Sequence, residues 1–382
     1  MRKARLILLG GVLAAVALPA ARSLTAWFSM RAPEVLATDY ARYCVSALQG
    51  LRSGWSRLYD LDAQHQIARS LEVPFFLPNV YTPAMSLFIV PFTRLSIENG
   101  FLIWSALLLS CLLVCWRLLA PGDSAARAVQ LAILFLPYPV MLGLRHGQVI
   151  PVQMALLAVS YRLLQQGHEW PAGAALCAVV LKPQGLLLVP FALAAAGRRR
   201  AFAGWAVATA AISVAILALI GLHGLEAYLD RLRWAQAHPI EMMVAWSYTL
   251  ARRFESPVAR AAVLAAAAAL TLIAAWRHRK TPEIVFAAGL IGSVLASPYT
   301  HLYDFMLLFP AAWFTLRVVP AKFAVPPLLV CYLFMLLSTH EGPGARWVLL
   351  CECVWLCALA VMPGPGRTSP RTARSTQVAS PG

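Results

Sequence analysis

Apolar residues run through this chain in blocks, at 5–28, 83–96, 98–119, 127–143, 148–166, 171–196, 201–222, 258–276, 283–297, 302–318, 321–338 and 345–362. A helix needs about 20 predominantly apolar residues to cross a bilayer. Most blocks therefore predict a spanning helix, while 83–96 and 283–297 are short enough to be tilted or partly re-entrant. Two long polar stretches interrupt them, 29–82 and 223–257, and the first is patterned. Tyr40, Tyr43, Cys44, Ala47, Leu48 and Leu51 recur at helical spacing, with Arg42, Ser46 and Gln49 opposite and a break at Ser53-Gly54. "LYDLDAQHQIARSLE" predicts a second short helix after Asp60, and both helices are expected to lie flat on the membrane surface. The expected fold is an all-α polytopic membrane protein. It has one transmembrane domain over 1–362, about twelve spanning helices and amphipathic helices in the first extracytoplasmic loop, followed by a disordered basic cytoplasmic tail at 363–382.

Composition supports this class and corrects one inference from charge. The 382 residues are 60% hydrophobic and 13% charged, with mean hydropathy +0.69, more apolar surface than a soluble domain of this size can hide. A net charge of +16 would suggest nucleic acid in a soluble protein. Here the excess gathers at Arg2/Lys3/Arg5, Arg198–Arg200, Arg277/Arg279/Lys280, Arg317/Lys322 and Arg367/Arg371/Arg374. The stretch 29–82 balances five Arg against five acids, and 223–257 four against four. Short basic loops alternating with long balanced ones follow the positive-inside rule. The expected location is the cell (plasma/inner) membrane, with both termini cytoplasmic, the two long stretches outside and no nucleic-acid partner. The start, Met1 to Arg5 before an apolar run, is like that of a secretory signal, but the runs that follow predict a retained start-transfer helix. Seven of the eight cysteines lie in apolar runs and only Cys44 in a polar loop, so packing thiols are expected rather than a disulfide or metal framework.

Against this background a few polar residues stand out, each with an ordinary reading beside a functional one. Asp39, just outside the first apolar run, is either a cap or first-turn acid of the following helix, or a general base for a sugar hydroxyl. Ser297-Pro298 reads as a helix start. His301 and Asp304, three apart, are then either a pair stabilising that helix end or a phosphate site at its N-terminus. Lys182 sits inside an apolar run beside Pro183, which predicts a kink that turns Lys182 and Gln184 into a cavity; snorkelling suits a mid-run lysine poorly. Arg145, His146 and Gln148 read as an interhelical turn on the cytoplasmic side, facing the site only if the threading of 83–170 shifts. Tyr81 suits an aromatic-belt anchor. Arg231/Arg233 and Arg252/Arg253 suit either a phosphate or balanced surface charge.

Asp39-Tyr40, "LYD" at 58–60, Tyr81-x-Pro83, "GQV" at 147–149, "LKPQ" at 181–184 and "SPYTHLYD" at 297–304 occur in that order. Together they resemble glycosyltransferase family 87, the polyprenyl-phosphate-mannose-dependent mannosyltransferases of the GT-C superfamily, over roughly residues 36–310. The family often carries a second proline where Thr82 stands. The resemblance implies a GT-C fold, extracytoplasmic catalysis, a polyprenyl-phosphate-sugar donor and a glycolipid or glycan acceptor in contact with membrane lipid. It gives Asp39 the catalytic-base position and places His301 at the donor phosphate, and it matches Lys182 and Gln184 to a Lys-Pro-Gln motif that either contacts substrate or shapes the helix. Lys182, Arg252 and Arg253 stand beside His301 as candidates for the donor phosphate, and Tyr40, Tyr81, Gln148, Gln184 and Asp304 as candidates for substrate binding. Inverting transfer from a phosphate leaving group needs no cofactor or metal, and none is expected. A multi-pass transporter or lipid flippase with Lys182 in its substrate pathway is the rival, and a structural subunit the third reading.

Overall fold

The computed structural model of the chain describes residues 2–74, 76–238, 249–339 and 344–363. Among these residues the regular elements are helices, without strands. The expected tail, from 364 onward, and residues 239–248 of the second polar stretch lie outside the described residues.

The chain runs through α1, Arg2–Phe28, and the short α2, Ala32–Leu36, into α3, Asp39–Ser53. Thr38 occupies the cap position, which makes Asp39 a first-turn acid, and Gly54 at φ 90° ends the helix. α3 is the predicted helix, and it is buried on its polar side as well as its apolar one. Ser46 and Gln49, expected to face outward, are as buried as Tyr40, Tyr43 and Ala47 of the apolar stripe, whose Leu51 is exposed. The Ser46 hydroxyl pairs with that of Ser86 at 2.7 Å, and the Gln49 amide donates to the carbonyls of Arg57 and Asp60. Unpaired, such groups would each cost ~1–3 kcal/mol, so the polar side of α3 is a packing face. α4, Leu61–Ser70, begins where predicted, with the Asp60 carboxylate accepting from the Ala63 N–H at 3.2 Å.

The run 83–96 crosses nothing. It folds into the seven-residue α5, Pro83–Ile89, and a 3-10 turn, Val90–Arg94. α6, Ile97–Leu119, then leads away, and α7, Ser124–Leu134, with α8, Tyr138–Arg145, leads back through a 66° bend. Pro137 and Pro139 supply that bend by removing helical N–H donors. Two passes instead of the expected three separate Asp39 from residues 144–149. That segment therefore returns to the Asp39 end, where the Tyr40 N–H donates to the His146 carbonyl at 3.0 Å. This overturns the cytoplasmic placement of the segment relative to Asp39.

α9, Ile150–Gln165, leads away again, and the next run, 171–196, is a hairpin rather than one crossing. α10, Glu169–Ala175, and a 3-10 segment, Leu176–Val180, reach Lys182; the turn Pro183–Gly185 and α11, Leu188–Ala195, return. The two ends of the hairpin meet at the Arg198–Glu169 ion pair, 3.1 Å long. α12, Arg199–Ala237, extends through 223–237 of the expected outer loop, changing direction at Gly221, whose φ of 66° favours glycine. The chain closes with α13, Pro257–Arg277, α14, Pro282–Leu295, α15, Leu308–Val318, α16, Ala321–Leu336, and α17, Gly344–Val361.

α14 is central. Every residue from Ile284 to Leu295 is buried, among α11, α13, α15 and α17. Among the described residues, five helices are long and apolar enough to cross a membrane, and the bent α7–α8 pair makes a sixth. Four shorter apolar segments, at 169–180, 183–195, α14 and α16, stand for three of the twelve expected runs. The chain is a polytopic membrane protein whose interior contains half-length elements.

Candidate functional site

At the end of the bundle where α3 begins, three segments distant in sequence converge on Asp39. Its Oδ1 accepts from Arg42 Nη1 at 2.5 Å, one helical turn along α3. Its Oδ2 accepts from Gln148 Nε2 at 2.5 Å, and His146 Nδ1 lies 3.6 Å from the same oxygen. The other end of the Gln148 amide accepts from Lys182 Nζ at 3.2 Å. Lys182 is also ion-paired with Asp304 Oδ1 and lies over the Tyr303 ring, 4.3 Å from its centroid. The remaining Asp304 oxygen accepts from the His301 N–H at 2.8 Å. Two carboxylates and two cations are thus joined through one amide, and Asp39, Gln148, Lys182 and Asp304 are all buried.

Local sequence explains how each group arrives. Gly147, at φ 70°, reverses the chain after α8 so that Gln148 faces Asp39; a Cβ there would lie 2.8 Å from Tyr40 Cβ. The Trp104 indole donates to the Gly147 carbonyl at 2.9 Å and fixes the turn. Ser297-Pro298 does not start a helix, contrary to the expectation. Instead the Ser297 hydroxyl accepts from Tyr299 N–H at 3.1 Å and donates to the Tyr299 carbonyl, folding 296–301 into a loop that ends α14. A 3-10 turn, Leu302–Leu307, follows with His301 at its cap position. His301 and Asp304 meet through the His301 backbone, not ring to carboxylate, and the ring pairs with the Tyr299 hydroxyl.

Around this buried floor stands a half-buried rim of Arg42, Tyr81, His146, Tyr299 and His301. Tyr81 packs edge-on against Tyr43 with centroids 4.6 Å apart, and its hydroxyl lies within reach of the Gln148 side chain. The Tyr59 hydroxyl and Asn79 hold the Tyr81 backbone. The ring of His301 lies between those of Tyr299 and Tyr303, 4.7 Å from each. Burial would raise the Asp39 carboxyl, but Arg42 and His146 outweigh it and hold it well below the usual carboxylate range. Burial lowers His301 to about 4, opposed by Asp304, so its ring is neutral at neutral pH. Burial, with the Asp39 charge beyond it, raises the phenols of Tyr81, Tyr299 and Tyr303, which remain hydroxyl donors.

The expected residues divide by position. Asp39, Gln148, Lys182, Asp304, His301 and Tyr81 come together. Tyr40 does not join them: its ring lies against Phe101 and Trp104. Gln184 sits half-buried on the hairpin turn beyond Pro183. Arg252 and Arg253 are exposed on a 3-10 turn, Ala251–Arg253, with Arg252 close enough to Tyr299 for its charge to act on that phenol. Arg42, Tyr299 and Tyr303 were not among the expected site residues. The signal for Arg42 was its i+3 spacing from Asp39, and the two tyrosines flank His301 in sequence.

Nothing among curated proteins or solved structures matches the chain. A family model does match, over residues 79–298, more than half of the chain, including Tyr81, Gln148, Lys182, Gln184, Arg252 and Arg253 but ending short of His301 and beginning after Asp39. The site thus combines matched and unmatched segments, and the chain belongs to glycosyltransferase family 87.

Proposed function

We propose that this membrane glycosyltransferase moves a hexose, mannose by resemblance, from a polyprenyl-phosphate-sugar to a hydroxyl of a cell-envelope glycolipid or glycan, with inversion and with Asp39 as base. The observation that carries this reading is the Asp39 carboxylate, buried under a rim of tyrosines and histidines and tied to Arg42 and Gln148. Sugars suit such a setting, since their C–H faces stack on aromatic rings and their hydroxyls bond to charges.

Each carboxylate oxygen has two lone pairs. Arg42 takes one on Oδ1, while Gln148 and His146 both stand at Oδ2, which leaves the open acceptor site on Oδ1. The acceptor hydroxyl donates there while its oxygen attacks the anomeric carbon. The bond from that carbon to the phosphate oxygen breaks, its electron pair leaves with the phosphate, and the proton passes to Asp39. A carboxylate held so low is a weak base, suited to a proton that becomes acidic only as the new bond forms. Asp39 with Arg42, and Asp304 with Lys182, are balanced pairs, so the charge of the leaving phosphate falls to His301, which an anion would help protonate, and to Arg252 and Arg253 at the rim. The reading requires no metal.

The location of charge supports an extracytoplasmic site. Arg198 meets Glu169 at the mouth of the hairpin, Tyr161 meets Glu283, and Arg317 donates to the carbonyls of Leu118 and Leu119, all at the end opposite Asp39. That end carries the short basic loops, which the positive-inside rule places in the cytoplasm. Transfer of radiolabelled mannose from polyprenyl-phosphate-mannose to lipid extracts in reconstituted vesicles tests the reading. Turnover by wild type that Asp39→Asn lowers by about 10²–10⁴-fold is the expected result; undiminished turnover by a folded Asp39→Asn removes the base assignment.

A further inference from the structure

The tip of the 171–196 hairpin is irregular backbone inside an apolar bundle, and such backbone persists only where other groups satisfy its polar atoms. Pro183 has no N–H, and Lys182 takes extended angles, φ −152° and ψ 88°, so the helical pattern of donors fails there. Two side chains from outside the hairpin bond to its carbonyls, Gln153 beside the backbone donors Leu181 and Gly185 and Thr82 where no backbone donor reaches. Gln153, fully buried on the first turn of α9, donates one amide hydrogen to the Ala178 carbonyl at 3.1 Å and the other to the Lys182 carbonyl at 2.7 Å. The Thr82 hydroxyl points at the Val180 carbonyl, 2.7 Å away, with the Leu181 carbonyl at 3.3 Å. Thr82 stands at the cap of α5, where a threonine would ordinarily accept from its own helix, and it forms no such cap bond. Its hydroxyl is diverted to the hairpin.

We propose that Thr82 and Gln153 form a clamp on the hairpin tip and are positioning residues for Lys182, setting its ammonium between Asp304 and Gln148. Gly185 completes the clamp: a Cβ there would sit 3.0 Å from Gln153 Oε1 and 3.0 Å from Leu307 Cδ1. The role of Lys182 in sugar transfer rests on the proposed function; the clamp does not.

The test reads Lys182 directly. Detergent-solubilised full-length protein is treated with N-hydroxysuccinimidyl acetate and its lysines, Lys3, Lys182, Lys280 and Lys322, are followed by peptide mass spectrometry, with the exposed Lys280 as reference. Lys182 is protected in wild type. Thr82→Val and Gln153→Leu each speed its acetylation by about tenfold, the scale of one net hydrogen bond, while Thr82→Ser, which keeps the hydroxyl, stays at the wild-type rate. Gly185→Ala, which presses on Gln153 without removing it, serves if a clamp variant does not fold. Unchanged Lys182 labelling in a folded clamp variant, or equal labelling in Thr82→Ser and Thr82→Val, overturns the proposal. In the mannose-transfer assay the clamp variants lose kcat out of proportion to their melting temperature. If wild type transfers no sugar, the functional reading fails while the labelling result stands.

Discussion

Gln148 joins the two charged pairs of the site: its Nε2 donates to Asp39 Oδ2 at 2.5 Å and its Oε1 accepts from Lys182 Nζ at 3.2 Å. Only one orientation of the amide satisfies both neighbours, since a carboxylate takes donors and an ammonium takes acceptors. Gln148→Glu keeps the shape and replaces the donor with a second carboxylate. Two carboxylates at that distance cannot both ionise freely, so one proton is shared and one apparent pKa rises. Wild-type Asp39 stays ionised far below neutrality. The variant is therefore expected to lose transfer as pH falls from 8 toward 5, a range over which wild type loses none of its base. A pH–rate profile in vesicles checks this, and a variant with the wild-type profile removes the bridge from the mechanism.

Asp39→Asn tests the base more simply. General-base catalysis contributes about 10²–10⁴-fold, and a loss in that range is expected in kcat, with the protein folded. Arg42→Gln, by contrast, leaves the carboxylate less depressed and still basic. It is expected to retain more activity than Asp39→Asn under the same assay.

Some of this site stood out in the sequence and some could not. Asp39, Lys182, His301 and Asp304 are polar exceptions in an apolar chain, and burying such groups is costly enough that each carried a reason. α3 and α4 followed from periodicity and from the Ser53-Gly54 break. Tyr40 points about 100° around the helix from Asp39, and its ring lies against Phe101 and Trp104. The hairpin was hidden for a different reason. An apolar run has the same composition whether it crosses once or folds back, and only Lys182-Pro183 marked the turn. Residues 83–170 hold few charges to fix direction, so the return of Gln148 to the Asp39 end had to come from the path of α5 to α8.

Lys182→Met strips Asp304 of its cation in a buried setting, where Lys182 and Asp304 are 3% and 2% exposed. Removing one member of a buried pair costs about 3–5 kcal/mol, whereas replacing both with apolar groups costs little. Lys182→Met is expected to lower the melting temperature clearly, and Lys182→Met with Asp304→Leu to recover part of the loss. A double variant no more stable than the single one would show that the pair is not where the cost arises.

His301 gives stability a pH dependence of known sign. Its ring falls from an ordinary 6.5 to about 4 in the folded chain, chiefly through burial. Between those values the unfolded chain holds a proton that the folded chain lacks, so stability rises with pH across the window and is lost as pH falls from 6.5 toward 4. His301→Gln, which cannot take up that proton, is expected to flatten the melting-temperature change over this window. An equally steep fall in the variant would assign the acid sensitivity elsewhere.

The contact between α10 and α12 holds one arm of the hairpin and depends on two absent side chains. A Cβ on Gly173 would stand 1.8 Å from the Ala201 carbonyl oxygen, and one on Gly204 2.3 Å from the Trp170 carbonyl oxygen. Both clashes are with backbone, which cannot swing aside as a side chain would, so the helices must separate. Small residues allow close helix approach in membranes, where packing rather than water drives association. Gly173→Ala is expected to lower the melting temperature more than Gly167→Ser. Gly167 has open space at its Cβ position, and its cost comes only from its φ of 83°. Because α10 leads through the 3-10 segment Leu176–Val180 to the turn at Lys182, Gly173→Ala should also increase Lys182 acetylation. Loss of thermal stability with Lys182 still protected would show that the arm and the tip are held independently.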